Sequence, residues 1–371
     1  MYPHLAGFYP TTMDYLKNVY KDQDQINQVY QEYRMEPTSF KKIPKSIENK
    51  MHWKFAYTAN STPPSAFVVR LDKGRIASYN GAIISPDNHL IFDLSIEFWA
   101  NKPEEHYLLH DGYFPTLQLS NENVAALTFC ASQYYYHWFF DVLPRFYLLT
   151  SMGIEADRYA INWNGRPGFQ DETLDLLGID KRRIMTVTEN TNLQAKSLFV
   201  PSLPGYTGHM GKWTVDFLRN ELMEKALEKS ANIETPKRFY ISRENAFTRK
   251  VVNDHDLVPF LQSHGFAIVH LENMSVVDQI RLFSNAEIII GAHGGGLSNL
   301  AFCKPETKVV EIFSPNYVHT CYWVLSGHVE ADYHYLLGTG PRPPELVDPN
   351  CVHENIRVDM KEMQKLLELL L

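Results

Sequence analysis

The stretch AEIIIGAHGGGLSNLAFC, residues 286–303, decides the fold predicted for the C-terminal half of the chain. It begins with an apolar run typical of a buried strand, passes through a glycine-rich turn and continues as a helix. The same unit recurs on its N-terminal side, and a further strand follows at KVVEIF, residues 308–313. Repeated β–α units of this length predict a parallel sheet with helices on its faces.

The units on the N-terminal side have clear boundaries. Ser275 and Asp278 form a capping box at the start of one helix, and Gly265 ends the helix before it. The strands and helices predicted here are RFYIS (238–242), DHDLVPFLQSH (254–264), FAIVHL (266–271) and SVVDQIRLFSN (275–285).

The N-terminal half also alternates between strands and helices. Residues 66–96 predict short strands and hairpins, and the chain is expected to become aromatic and helical from about residue 124. Prolines and glycines concentrate in PSLPGYTGHMGK, residues 201–212, which is the predicted linker. We predict an α/β fold with an N-terminal α/β domain over 1–205, a C-terminal Rossmann-like domain over 206–345, and a tail over 346–371 that holds an amphipathic helix.

Composition narrows the class of protein. The chain has 371 residues, 44% of them hydrophobic and 21% charged, which is typical of a folded enzyme-sized protein. The formal charge of −8 argues against a nucleic-acid partner. The four cysteines form no C-x-x-C pair, so neither a zinc ribbon nor a redox motif is predicted. With no signal-peptide pattern and no long apolar run, we expect a cytoplasmic protein; contact with a membrane surface stays open.

The glycine-rich loop at residues 291–299 is the strongest local motif. Its backbone amides can approach a ligand closely, and the N-terminal end of the following helix favours phosphate. His293 stands where a G-x-G-x-x-G motif has its second glycine, and no G-K-[ST] follows. The loop therefore indicates a phosphate site of another kind, or a tight turn that binds nothing.

A basic cluster follows the strand RFYIS. Arg243, Arg249 and Lys250 lie just beyond its carboxyl end, where open α/β sheets bind ligands. Guanidinium groups suit diphosphate oxygens. The alternative is a solvated surface with ordinary ion pairs.

A third group lies in YYYHWFFDVLPR, residues 134–145. On a helix, His137, Asp141 and Arg145 share one face at i, i+4 and i+8. A carboxylate beside an imidazole can fix its tautomer and raise its basicity, and either group could then take a hydroxyl proton. Pro144 should kink or end the helix. The alternative for His137 and Asp141 is a buried structural pair.

Acidic pairs offer a weaker pattern. Asp254 with Asp256, and Asp22 with Asp24, each match the D-x-D of metal-dependent sugar transferases. The first pair stands at a helix start, where Asn253 or Asp254 is expected to cap the helix, so no metal ligands are predicted.

Three segments in this order resemble glycosyltransferase family 61, whose bacterial members include capsular polysaccharide biosynthesis proteins. The resemblance covers residues 65–315 and is carried by HWFFDVLPR (137–145), RFYISRENAFTRKVVND (238–254) and IIIGAHGGGLSNLAFCKPETKVVEIFSP (288–315). The sequence departs from the family pattern at two places. Gly295 replaces the usual alanine, and Asp254 and Asp256 stand where glutamate is commoner.

The resemblance implies a GT-B fold, with two Rossmann-like domains that face an interlobe cleft. It also implies an inverting, metal-independent enzyme that moves a sugar from a nucleotide, expected to be UDP, to a glycan or lipid-linked glycan acceptor in bacterial surface polysaccharide synthesis. No separate cofactor is implied. The expected acceptor-side residues are Trp138 and Arg145, and the expected base is Asp141 or His137, with Asp141 slightly favoured. The expected donor residues are Arg243, Arg249, His293, Gly294, Gly295, Gly296, Leu297, Ser298, Asn299 and Glu311.

Two other classes of function remain open from sequence. A non-catalytic sugar- or nucleotide-binding protein could be built on the same fold. A dinucleotide-dependent oxidoreductase is less favoured, because its G-x-G-x-x-G turn is missing.

Overall fold

The computed structural model describes residues 4–33, 42–62, 64–110, 114–165, 168–229 and 234–371. It is a mixed α/β protein whose chain divides into two compact units. The first unit holds the described residues of Met1–Met35 and Pro64–Thr207, and the second holds those of Glu36–Pro63 and Gly208–Leu371. None of the helices in these described ranges is both long enough and apolar enough to cross a membrane.

The strands and helices are named here in chain order. The strands are β1 (Gly7–Tyr9), β2 (Tyr30–Tyr33), β3 (Ala66–Asp72), β4 (Arg75–Ala77), β5 (Ala82–Ile84), β6 (His89–Ile91), β7 (Gln118–Leu119), β8 (Asn123–Ala126), β9 (Arg158–Ile161), β10 (Ile184–Thr186), β11 (Asn192–Gln194), β12 (Ser197–Pro201), β13 (Arg238–Ile241), β14 (Ala267–Val269), β15 (Ile288–Ala292), β16 (Lys308–Phe313) and β17 (Asp332–Leu337). The α-helices are α1 (Thr12–Val19), α2 (Gln23–Asn27), α3 (Trp53–Ala59), α4 (Tyr135–His137), α5 (Leu143–Ser151), α6 (Phe169–Leu177), α7 (Lys212–Leu218), α8 (Glu224–Lys229), α9 (Asp254–Ser263), α10 (Val276–Ser284), α11 (Cys321–His328) and α12 (Met360–Leu370).

The first unit contains two six-stranded sheets. One has the order β1–β6–β5–β4–β11–β7 and holds the predicted short hairpins. The other has the order β10–β9–β8–β12–β3–β2, and its first four strands are parallel. Within those four strands the winding reverses between β8 and β12. In open α/β sheets the crevice at the carboxyl ends of the strands, where the winding reverses, is the usual ligand site.

The second unit is built on one parallel sheet with the order β14–β13–β15–β16–β17. Its winding reverses between β13 and β15. Leu257 of α9 and Leu366 of α12 pack in one hydrophobic cluster with Ile290 of β15. Phe283 of α10 packs against Phe239 of β13, on the opposite face, with ring centroids 5.3 Å apart. The predicted parallel sheet with helices on its faces is confirmed.

Local capping chemistry sets the helix ends in this unit. Ser275 accepts a hydrogen bond from the backbone N–H of Asp278 at 3.1 Å, as the capping box predicts. Gly265 has a φ of +81°, a left-handed conformation that ends α9 at Ser263.

Residues 42–62 pack with the second unit, although the sequence-based boundary placed all of 1–205 in the N-terminal domain. The backbone N–H of Lys45 donates to the carbonyl of Tyr333 in β17 at 3.0 Å. Phe55 of α3 lies against Tyr335, with ring centroids 4.8 Å apart. Sheet-edge pairing over such a separation leaves no mark in the sequence pattern. The predicted tail also belongs here, because Leu366 of α12 is part of the core.

The helical segment that carries His137 changes its hydrogen-bond pattern midway. A π-helix over Trp138–Val142 separates α4 from α5. Pro144 has no backbone N–H with which to continue the α pattern, so the predicted break takes the form of a π-turn. Segments of this kind occur often at functional sites. As the crossover from β8 to β9, the segment begins at the carboxyl edge of the sheet.

Arg145 of α5 fills the crevice of the first unit with backbone contacts. Its Nη1 donates to the carbonyl of Thr128 at 2.8 Å, its Nη2 to those of Ala126 at 2.9 Å and Pro201 at 2.7 Å, and its Nε to Pro201 at 3.0 Å. Burial lowers the pKa of Arg145 to about 9, which the nearby Asp141 partly offsets. Its donors tie β8 to β12, and the acceptor-side role expected for Arg145 stays a prediction.

Replacing Arg145 with Lys should lower the free energy of unfolding by about 2–4 kcal/mol, because one ammonium cannot reach three carbonyls and leaves buried acceptors unpaired. Urea denaturation measures this loss. Arg182→Ala is the matched control; it removes an exposed arginine that pairs with Asp180 and should stay within about 0.5 kcal/mol of wild type. An Arg145→Lys protein of wild-type stability would contradict this assignment.

Candidate active site

Two loops of the second unit follow β13 and β15, between which the strand order of its sheet reverses direction. Arg243 follows the end of β13, and His293 follows the end of β15. Because β13 and β15 are parallel neighbours, both loops lie at the same carboxyl edge. The structure therefore brings together the basic cluster and the glycine loop that the sequence singled out separately.

Arg243 and Arg249 form a half-buried pair of cations. Arg243 donates from Nη2 to the carbonyl of Thr248 at 2.9 Å and from Nε to that of Arg249 at 3.2 Å. Within the described part of the chain neither arginine forms a salt bridge with a carboxylate. Burial, and after it the charge of Arg249, lowers the pKa of Arg243 to about 10, so Arg243 stays cationic at neutral pH. Desolvated charge without a counterion favours an anionic ligand.

The backbone of Arg249 has a conformation that is unfavourable in free energy for residues other than glycine. Its φ is +54°, in the left-handed region. There its Nε donates to the carbonyl of His293 at 3.0 Å and its Nη1 to that of Val352 at 2.7 Å. The guanidinium also lies over the ring of Tyr317, 5.8 Å from its centroid. The strained backbone thus fixes Arg249 against the start of the glycine loop.

Close approach explains the glycine at position 294. A Cβ added to Gly294 would lie 2.0 Å from Nη1 of Arg243. The guanidinium therefore rests directly against the loop backbone. Gly295 and Gly296 are half-buried and keep part of their backbone accessible.

The remainder of the loop packs inward. Residues 295–302 form a 3₁₀-helix, in which Leu297, Ser298 and Asn299 are fully buried. The Asn299 amide donates to Gln279 at 2.8 Å and to the Gly296 carbonyl at 3.1 Å. The side chains of Leu297, Ser298 and Asn299 support the loop from behind, and the donor-binding role expected for these residues stays a prediction.

His293 sits in a buried network that the sequence did not reveal. Its Nδ1 lies 2.5 Å from Oε1 of Glu311, and Tyr333 donates to Oε2 of Glu311 at 2.5 Å. Burial raises the pKa of Glu311 well above its ordinary value and lowers the pKa of His293 well below its own, with help from the cations around His293. Through this contact Glu311 positions His293. The donor contact expected for Glu311 stays a prediction.

His137 and Asp141 form the pair that their spacing predicts. His137 Nδ1 lies 2.7 Å from Oδ2 of Asp141. The side chain of Asp141 is only 5% exposed, whereas that of His137 is 19% exposed. Burial raises the pKa of Asp141, which the contact with His137 partly offsets. The accessible member of the pair is the imidazole, so the geometry favours His137 over Asp141 as the group that meets a substrate.

The neighbours of His137 are mostly aromatic. The rings of Phe98 and Phe129, which sequence inspection missed, lie 5.3 and 5.5 Å from the imidazole. Trp138 points the other way: it is fully buried, and its Nε1 donates to Thr173 Oγ1 at 2.8 Å. Trp138 is therefore part of the core packing, and its expected acceptor-side role stays a prediction. No sequence pattern could have joined Phe98 to His137, because the contact depends on the folded loop.

One aspartate of each acidic pair accepts a hydrogen bond from another group of the protein. Asp22 caps α2 by accepting from the backbone N–H of Gln25 at 2.9 Å. Asp254 accepts from the Tyr240 hydroxyl at 2.8 Å. Asn253 does not cap α9 as expected, because its side-chain amide pairs with the backbone of Val358 in both directions. Among the described residues no group of three His, Cys, Asp or Glu is placed to hold a metal ion.

Comparison with known proteins bears on the chemistry of these groups. Residues 135–310 match the family model for Glycosyltransferase 61. The matched range includes His137 and Asp141 in the first unit and both arginines and the glycine loop in the second.

Two relatives are plant enzymes. The chain is 37% identical over 62 residues to the beta-1,2-xylosyltransferase RCN11 of Oryza sativa subsp. japonica, which covers 17% of this chain and 12% of that protein. It is 30% identical over 93 residues to the beta-1,2-xylosyltransferase of Arabidopsis thaliana, which covers 25% of this chain and 17% of that protein. These alignments span less than a fifth of each relative. They support a glycosyltransferase, while the expected bacterial capsule type finds no support among them.

Replacing Gly294 with Ala should displace the Arg243 guanidinium and lower the free energy of unfolding by about 1–3 kcal/mol, the worth of the hydrogen bonds that it leaves. The matched comparison is the same change made in an Arg243→Ala background, where the three atoms nearest to the added methyl group are gone and the change should cost less than about 0.5 kcal/mol. Urea denaturation of the wild type, the two single variants and the double variant gives the coupling free energy between positions 243 and 294. Fully additive costs would show that Gly294 does not face Arg243.

Proposed function

We propose that the chain is a glycosyltransferase whose second unit binds the diphosphate of a nucleotide-sugar donor. The observation that carries this proposal is the half-buried pair Arg243 and Arg249, cationic and without a carboxylate partner among the described residues, at the edge where the winding reverses. Guanidinium forks and accessible loop amides are suited to phosphate oxygens. As the sugar leaves, negative charge grows on the diphosphate, and these fixed donors stabilise it there.

We propose further that the first unit supplies the base that activates an acceptor hydroxyl. His137 is the accessible group, and Asp141, buried behind it, holds the imidazole at Nδ1. This leaves Nε2 to accept the hydroxyl proton while the oxygen attacks the anomeric carbon. A buried carboxylate that orients an imidazole is a recurring arrangement in nucleophile activation.

The finer features of the reaction are proposals of the same kind. We propose a UDP-sugar donor, a glycan acceptor, the GT-B arrangement of two domains, and a reaction that needs no metal. The names of the plant relatives specify a β-1,2 linkage made by transfer of xylose. A β-linked product formed from an α-linked nucleotide sugar requires inversion, so those names support a single displacement here and make a pentose a donor to test first.

Replacing Arg243 with Ala should weaken UDP binding by about 1.5–3 kcal/mol, because one charge-assisted contact to phosphate is lost. Isothermal titration calorimetry measures the affinity. Arg182→Ala, which removes an exposed arginine of the first unit, should bind UDP as wild type does. If Arg243→Ala binds UDP unchanged, the phosphate lies elsewhere.

Replacing His137 with Gln should slow release of UDP from UDP-xylose, with water as acceptor, by about 10²–10⁴-fold, since a general base contributes in that range. Asp141→Asn should cause a loss of similar order, and the double variant should be little worse than either, because the two act as one unit. The assay contains EDTA, so it also checks the proposed independence from metal.

Thr150→Ala on α5 is the control for this series and should turn over normally. UDP affinity is measured on every variant and should not change. Well-folded His137→Gln protein with normal turnover would show that the pair is structural.

A further inference from the structure

Phe247 stands out among the apolar side chains of the second unit because it is 100% exposed. Single exposed apolar residues are common on protein surfaces, so exposure alone indicates nothing. Its place in the chain is what matters. Phe247 lies in the loop that connects Arg243 to Arg249, the two groups proposed to hold the diphosphate.

That loop is closed by its own hydrogen bonds. The backbone N–H of Ala246 donates to the carbonyl of Arg243 at 3.0 Å, and the guanidinium of Arg243 reaches back to the carbonyls of Thr248 and Arg249. The base of the loop is also fixed, because Lys250 Nζ donates to the carbonyl of Glu244 at 2.8 Å.

A contact outside the loop anchors its other side. The amide of Asn245 donates to Glu272 Oε1 at 2.9 Å. Phe247 is thus presented on a short, fastened turn. Because the turn that carries Phe247 is held before binding, part of the ordering cost that a ligand would otherwise meet is removed.

Phe247 is adjacent in the chain to a residue that contacts the proposed phosphate site. The Arg243 guanidinium bonds the carbonyl of Thr248, the residue next to Phe247, and neighbouring Cα atoms are about 3.8 Å apart. In a nucleoside diphosphate one ribose separates the base from the first phosphate. The separation between the Phe247 backbone and the Arg243 guanidinium is therefore of the order that one ribose spans.

We propose that Phe247 is the stacking platform for the nucleobase of the donor. This inference rests on the proposed nucleotide site and adds to it a residue that recognises the base. An aromatic face accepts any base in an offset stack, so Phe247 contributes affinity, and it discriminates nucleotides from phosphate compounds that lack a base.

The test compares UDP with inorganic pyrophosphate, which has the phosphates and no base. Calorimetry on the full chain is made for wild type, Phe247→Ala and Phe247→Tyr. Phe247→Ala should weaken UDP binding by roughly 5- to 150-fold, the range measured for loss of one base–aromatic stack. It should leave pyrophosphate affinity unchanged, and Phe247→Tyr should bind UDP as wild type does.

Leu369 provides a matched control, since it is 67% exposed near the end of α12. Its neighbour Leu370 bonds Lys308 at the start of β16, so Leu369 lies at the opposite edge of the sheet. Leu369→Ala should bind both ligands normally. Equal UDP affinity in wild type and Phe247→Ala, with pyrophosphate still bound, overturns the stacking role alone. Failure of wild type to bind either ligand overturns the nucleotide site itself and this inference with it.

Discussion

Where the strand order of a parallel sheet reverses direction, the two neighbouring loops diverge and leave a crevice at the carboxyl edge of the sheet. Each unit of this protein has a sheet with such a crevice. In the first unit Arg145 fills it, and the Nε, Nη1 and Nη2 atoms of its guanidinium all donate to the carbonyls that surround it. In the second unit Arg243 and Arg249 flank the crevice, donate to the carbonyls of Thr248, Arg249, His293 and Val352, and form no salt bridge with a carboxylate among the described residues. The same type of side chain thus closes one crevice and leaves the other suited to an anion.

Two histidine–carboxylate pairs have the same composition but differ in how deeply the imidazole is buried. His137 with Asp141 and His293 with Glu311 each join an imidazole Nδ1 to a carboxylate. In the first pair the imidazole is partly exposed and its carboxylate is buried behind it, which suits proton transfer to a substrate. In the second pair both groups are buried, and Tyr333 occupies the other carboxylate oxygen. That pair is suited to fixing the orientation of the loop beside the arginines.

The match to a family motif does not tell ligand contacts from packing. Within the matched segments, Arg243 and Gly294 lie at the candidate site, whereas Trp138, Asn299 and Glu311 are buried and hold other groups in place. Both roles restrict the type of residue that a position accepts, so both give rise to motif positions. Only the burial of a residue and its hydrogen-bond partners show which of the two roles it has. Residues outside the motif pattern, such as Phe98 and Tyr333, complete the two sites.

The sequence by itself determined the repeated strand–helix units of the second unit, because hydrophobic periodicity, the cap at Ser275 and the turn at Gly265 are local properties. It also determined the pairing of His137 with Asp141, since four residues along a helix place two side chains on one face. Only the tertiary structure decided the order of the strands, the transfer of residues 42–62 to the second unit, and the meeting of Arg243 with Gly294. These depend on contacts between residues far apart in the chain, which no local pattern encodes. The tertiary structure also decided which polar groups are buried, and burial sets which of them can meet a substrate.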